Sequence, residues 1–189
     1  MAGIAASDAD VVALLMRRHG DIRNLFDEVE RTAGDERRAA FRSLVRLLAV
    51  HETAEEEVIR PFTRTSVPDG AKVADERLAE EREAKELLSR LDGMDTDDAK
   101  FLPELLTLRL DVMKHARAEE RYEFNHIRRH ADKARLASMA TALKAAEAMA
   151  PTHPHPGTES AAKNMTLGPV AALVDRTRDA VRKAIGKDG

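Results

Sequence analysis

Cysteine and tryptophan are absent from the 189 residues, and a single tyrosine accompanies five phenylalanines. The missing thiols exclude disulfides, zinc–thiolate sites and cysteine-held iron–sulfur clusters. Any metal must therefore be held by histidine, carboxylate or tyrosine. The chain also lacks an apolar stretch long enough to span a bilayer. Its N-terminus, MAGIAASDADVV, has no basic region followed by an apolar run, so no signal peptide is expected and cytoplasmic residence is the default. No strong excess of charge exists either. Thirty-one Lys and Arg against 34 Asp and Glu leave a net charge of −3, which gives no reason to expect a nucleic-acid partner.

Helix formers are abundant instead. Ala, Leu, Glu and Arg dominate, and 43% hydrophobic with 34% charged residues suits a soluble globular chain. The expected fold is all-α. Ser7 with Asp10 resembles a capping box and would open a first helix at about residues 8–32. Gly34-Asp35 breaks it. A second helix is expected over about 35–62, with Pro61 near its end, and TSVPDG is a turn signal. A third helix follows at about 70–92, a polar link at 94–100, a fourth helix at about 101–129 and an amphipathic fifth at about 132–150. Four long helices with short links favour an up-down-up-down bundle, with additional C-terminal helices. Residues 1–150 would form the bundle with its added fifth helix. Residues 151–189 would form a Pro- and His-containing linker, PTHPHPGTESAAKN, and a last amphipathic helix at about 168–186 that could pair two chains.

The apolar stripes of these helices are interrupted by polar residues. His19 falls between Leu15 and Ile22. His51 and Glu55 fall between Leu48 and Val58. Glu81 shares a face with Leu78, Ala84 and Leu88, and His115 and Glu119 continue the series Leu105, Leu108, Val112. A buried imidazole or carboxylate without a partner is costly. A shared metal centre would satisfy all six. His-x-x-x-Glu spacing sets two donors one turn apart on one helix face. At ~1.5 Å per residue, His19 and Glu81 stand roughly 16–18 Å from the starts of their helices. His51 and His115 lie roughly 24 Å down theirs, the same height in a bundle about 36 Å tall. Nitrogen and oxygen donors without a soft ligand suit iron or manganese.

Other residues read more simply. Glu80 is a weaker alternative to Glu81. Tyr122, one turn past Glu119, is a rim residue or a hydrogen-bonding support of the centre. His126 and His130 form a basic surface patch with Arg128 and Arg129, His153 and His155 are solvent-exposed, and Met16 and Met139 fill the core.

The segments MRRHGDIRNLF, VHETAEEEVIRPF, AEEREAKELL and KHARAEERYEF resemble the four helices of the hemerythrin HHE cation-binding domain, over about residues 8–130. The family pattern is His, then His-x-x-x-Glu, then His, then His-x-x-x-Glu. His19, His51 with Glu55, and His115 with Glu119 match three elements; the third departs, with Glu81 after Glu80 where the family has His. The resemblance implies two non-haem irons joined by Glu55 and Glu119 and an oxygen bridge, with His19, His51, His115 and Glu81 as terminal ligands. It implies a protein that binds or turns over O2, hydrogen peroxide or nitric oxide, as a di-iron oxidoreductase if it is an enzyme. The extra negative charge of Glu81 would favour the ferric state, and so turnover over oxygen carriage. The rival readings are a non-catalytic iron-handling or sensing protein and, less well supported, a metal-free helical interaction module.

Overall fold

Asp10 starts the first helix. Its backbone is extended, and its carboxylate accepts from the amides of Val12 at 2.8 Å and Ala13 at 3.4 Å, two of the donors that a helix start leaves open. Asp10 is thus the cap itself rather than the far partner of Ser7, and the helix opens at Val11, later than expected. The computed structural model describes residues 10–150 and residue 152. Ser7, the Pro/His linker with His153 and His155, and the expected helix at 168–186 lie outside the described residues.

The elements in order are α1 (Val11–Arg31), α2 (Gly34–Ser66), α3 (Gly70–Asp92), α4 (Phe101–Ala118), a π-helical segment (Glu119–Glu123), α5 (Phe124–His130) and α6 (Lys133–Met149). Among the described residues there is no strand. α2 does not stop at residue 62. Pro61 removes one N–H from the ladder, yet the helix runs on to Ser66. The turn into α3 needs glycine at Gly70, because a Cβ there would stand 2.0 Å from the Thr63 carbonyl oxygen. The expected single fourth helix is split, since the five residues from Glu119 adopt the wider i→i+5 turn. Asp132 caps α6 by accepting from the Arg135 amide at 2.8 Å.

α1 packs on α2, α2 on α3, α3 on α4 and α4 on α1, which closes the expected up-down-up-down ring. α6 lies against α1 and α2, and Arg18 of α1 forks onto the Glu147 carboxylate of α6 at 2.8 and 2.9 Å. The link at 94–100 is less polar in place than in sequence: Met94 packs on the core and Thr96 is buried. Met16 is 43% exposed and is not a core residue, because it stands a quarter-turn from the buried Leu15; Met139 is buried as expected.

The apolar core falls into two clusters. One gathers Val11, Leu15, Val58, Phe62, Phe124 and Ile127 with the α6 residues Met139 and Leu143. The other gathers Ile22, Phe26, Phe41, Leu44, Leu88, Phe101 and Leu105. The interrupted stripes of α1, α2 and α4 with its continuation pass from one cluster to the other, and their interruptions lie between the two; α3 contributes apolar residues to the second cluster alone, with Glu81 at its edge.

Candidate metal centre

His19, His51, Glu55, Glu81 and Glu119 are buried, and the side chain of His115 is 14% exposed. Four helices deliver them to one layer, as the helix-depth argument expected. Their donor atoms form two groups that share Glu55. His19, His51 and Glu55 make the first; Glu55, Glu81, His115 and Glu119 make the second, with the atoms of each group within 4.8 Å of one another.

The two bridging candidates split their oxygens between the groups. Glu119 sets Oε2 at 3.5 Å from His19 Nε2 and Oε1 at 3.2 Å from His115 Nε2. Glu55 sets Oε1 at 3.6 Å from His51 Nε2 and 4.0 Å from His19 Nε2, and turns Oε2 toward the second group. His19 Nε2, Glu55 Oε1 and Glu119 Oε2 are buried without a hydrogen-bond partner, as is Glu81 Oε2. Buried polar atoms are rarely left so. Three of these atoms come from the first position, where a cation would satisfy them together, so the donor set fits a metal ion there.

Two carboxylates stand behind the histidines. Glu120 accepts from His19 Nδ1 at 2.9 Å, and Glu80 accepts from His115 Nδ1 at 3.0 Å and forms an ion pair with Arg77, whose Nη1 lies 2.7 Å away. Each bond fixes the proton on Nδ1 and leaves Nε2 facing the centre. Glu80 thus supports a histidine, and Glu81 is the helix-α3 carboxylate inside the layer. Tyr122 is 66% exposed and supports nothing at the centre. The π turn swings it away from the face of Glu119 and presents Glu123 inward instead. His126, half-buried, lies against the Ser66 carbonyl and stacks on His130, with Arg128 and Arg129 exposed beside them.

Arg60 was not expected here. It is buried to 2% exposure, with Nε donating to Glu81 Oε1 at 3.0 Å and Nη1 to Glu123 Oε2 at 2.9 Å. Nη2 lies 2.8 Å from Glu81 Oε1, 3.4 Å from Glu55 Oε2, 3.5 Å from His115 Nε2 and in tight contact with Glu119 Oε1. Its sequence signal was misleading, because Glu56 one turn earlier makes it look like half of a surface pair. Glu123 had a usable signal, one turn beyond Glu119.

The electrostatics follow from this crowding. Burial raises Glu55 well above the ordinary carboxylate range, and Glu119 adds to it. Burial would raise Glu119 too, but His115 and Arg60 carry it well below that range. Burial pushes Glu52 and Glu81 up to about 7. Burial and His19 hold His51 well below the usual histidine value. For His115 burial lowers the value and Glu119 and Glu80 outweigh it, leaving it well above. A cavity of about 60 Å³ opens on the layer, lined among others by His19, His51, Glu52, Glu81, Val112 and Met113.

Comparisons with known proteins agree with the geometry. Residues 10–127, more than half of the chain, match the hemerythrin HHE cation-binding domain. An uncharacterised hemerythrin-like protein of Schizosaccharomyces pombe is 28% identical over 138 residues, 72% of this chain and 68% of that one. A Nostoc protein named DNA nickase is 27% identical over 146 residues, 77% of this chain but 41% of its own length. No solved structure matches. The domain match, the closed helical ring and the His and Glu layer at its waist place this chain in the hemerythrin HHE cation-binding family.

Proposed function

We propose that the chain is a non-haem iron protein that binds or turns over O2, hydrogen peroxide or nitric oxide. The observation that carries this is the convergence of His19 Nε2, Glu55 Oε1 and Glu119 Oε2, buried and unpartnered, beside a cavity that admits only a few atoms. Bound there, iron supplies a redox-active Lewis acid to a small oxygen or nitrogen ligand. The protein's part is to hold His19 and His115 by Nδ1, to keep bulk water out of the layer and to limit ligand size. Glu55 and Glu119 offer one oxygen to each position, as two bridged irons require. A second iron completes that centre only where Arg60 gives way.

The charge of Glu81 is answered by Arg60. The expectation that Glu81 alone drives the iron to the ferric state therefore loses its basis, and turnover must be measured directly. The test is metal analysis with an ultraviolet–visible spectrum of the purified chain, followed by assay of peroxide and nitric oxide consumption. Absence of iron under iron-replete expression would overturn the proposal. Iron without turnover would favour the second reading, iron handling or sensing. Cytoplasmic residence and association through residues 168–186 belong to the same proposal. Among the described residues no helix is long and apolar enough to cross a membrane. A nucleic-acid substrate is not proposed: this chain spans 41% of the Nostoc protein and carries a net charge of −3.

A further inference from the structure

The second group of donors already surrounds a cation. Arg60 Nη2 is within 3.5 Å of one atom from each of its four members: Glu55 Oε2, Glu81 Oε1, His115 Nε2 and Glu119 Oε1. A metal makes bonds of ~2.0–2.2 Å to nitrogen and oxygen donors. An ion serving these four atoms and the guanidinium nitrogen would need the same space. The guanidinium cannot lose its proton to become a ligand. It is also anchored behind the position, through Nε to Glu81 and through Nη1 to Glu123, whose Oε2 in turn accepts from Thr63 Oγ1 at 2.9 Å.

We infer that Arg60 is the resident cation of the second metal position, and that this chain takes one metal ion, at the position formed by His19, His51, Glu55 and Glu119. The inference rests on the metal-binding reading and narrows it. It also accounts for the departure at position 81. Where the family pattern has His, a neutral ring would face the guanidinium. Glu81 instead answers it with a charge, accepting from Nε and forming an ion pair with Nη2. The pair Arg60–Glu81 thus replaces a histidine–metal contact. The first position has no such plug, and its three inward atoms remain unpartnered.

The experiment is anaerobic titration of the full metal-free chain with ferrous iron, counting ions per chain after gel filtration and recording the melting temperature at each step. Wild type is expected to saturate at one ion. Arg60→Leu opens the second position and is expected to take two, with a lower melting temperature when metal-free that the second ion restores. Because Arg60→Leu leaves four carboxylates without their cation and burdens folding in the absence of iron, a second variant is included: R60L/E81H removes one carboxylate, restores the family donor and is also expected to bind two. Two ions in wild type would overturn the inference while leaving the metal-binding reading intact. One ion in both variants would likewise overturn it. No ion in any protein would overturn both.

Discussion

His19 Nδ1 donates to Glu120 Oε1 at 2.9 Å, and His115 Nδ1 repeats the bond to Glu80 at 3.0 Å. Neither carboxylate reaches the centre itself. Each sets which nitrogen its histidine turns inward and raises the basicity of that nitrogen. Glu120→Ala is therefore expected to weaken metal binding about 10–100-fold, and Glu80→Ala less if the second position is closed to metal. Competition against a chelator of known affinity measures this. Equal affinity in Glu120→Ala and wild type would reduce Glu120 to a surface charge.

Metal removal should lower the melting temperature. The unpartnered His19 Nε2, Glu55 Oε1 and Glu119 Oε2 cost stability when no cation meets them. An ion that binds only the folded chain adds about 2.7 kcal/mol at a free concentration 100 times its dissociation constant. Glu119→Gln should lose most of this increment, since Oε2 then becomes a neutral amide group. Thermal denaturation with and without ferrous iron gives the answer. Coincident curves for the wild type would mean that no ion binds in the layer.

Most of this was legible in the sequence because it lay in periodicity. An apolar stripe interrupted by His19, or by His51 with Glu55, reports a buried polar residue directly, and all six expected donors, Glu81 included, meet in one layer. Arg60 was illegible for a physical reason. Its guanidinium reaches its partners Glu81 and Glu123 across helices, 21 and 63 residues away, and no local spacing encodes such a reach. Tyr122 is exposed, in keeping with the rim reading; the alternative, a support of the centre, was reckoned on an α-helical turn, whereas residues 119–123 take the wider one. Met16 was misjudged because methionine fits core and surface alike, and only its angle from Leu15 decides.

Glu52 offers a pH test in the metal-free protein. Burial raises it from 4.5 to about 7, against the opposing pull of Lys85. The folded chain thus holds this proton more tightly than the unfolded chain does. Glu52 costs nothing below pH ~4.5, and stability falls as pH rises from there to about 7, by about 3 kcal/mol at most at ~1.4 kcal/mol per unit. Other groups in the layer titrate too, so the quantity to measure is the stability difference between Glu52→Gln and wild type. That difference should move in favour of Glu52→Gln across pH 4.5–7. A difference flat over this range would show Glu52 to be ionised at its ordinary value.

α6 belongs to the folded unit. Leu143 is fully buried among Val11, Val58 and Phe124, and Leu143→Ala should cost ~2–5 kcal/mol of stability in denaturant titration. Truncation before Pro151 should leave both stability and bound metal in place, because among the described residues every donor of the layer comes from α1 to the π segment. Loss of metal on that truncation would implicate His153 or His155 instead.

The division of the core into two apolar clusters has a consequence for how the molecule opens. Cooperative unfolding must be transmitted across a waist of charge, where packing is not the medium. An ion at the first position rivets α1, α2 and the π segment at that waist, so that neither end can open without breaking bonds the other end shares. With the ion removed, the ends are joined by helix continuity and by polar contacts of the waist such as the Arg60 network, His19–Glu120 and His115–Glu80. Hydrogen exchange should then resolve two units, one around Phe62 and Ile127 and one around Phe41 and Phe101, where the loaded protein exchanges as one.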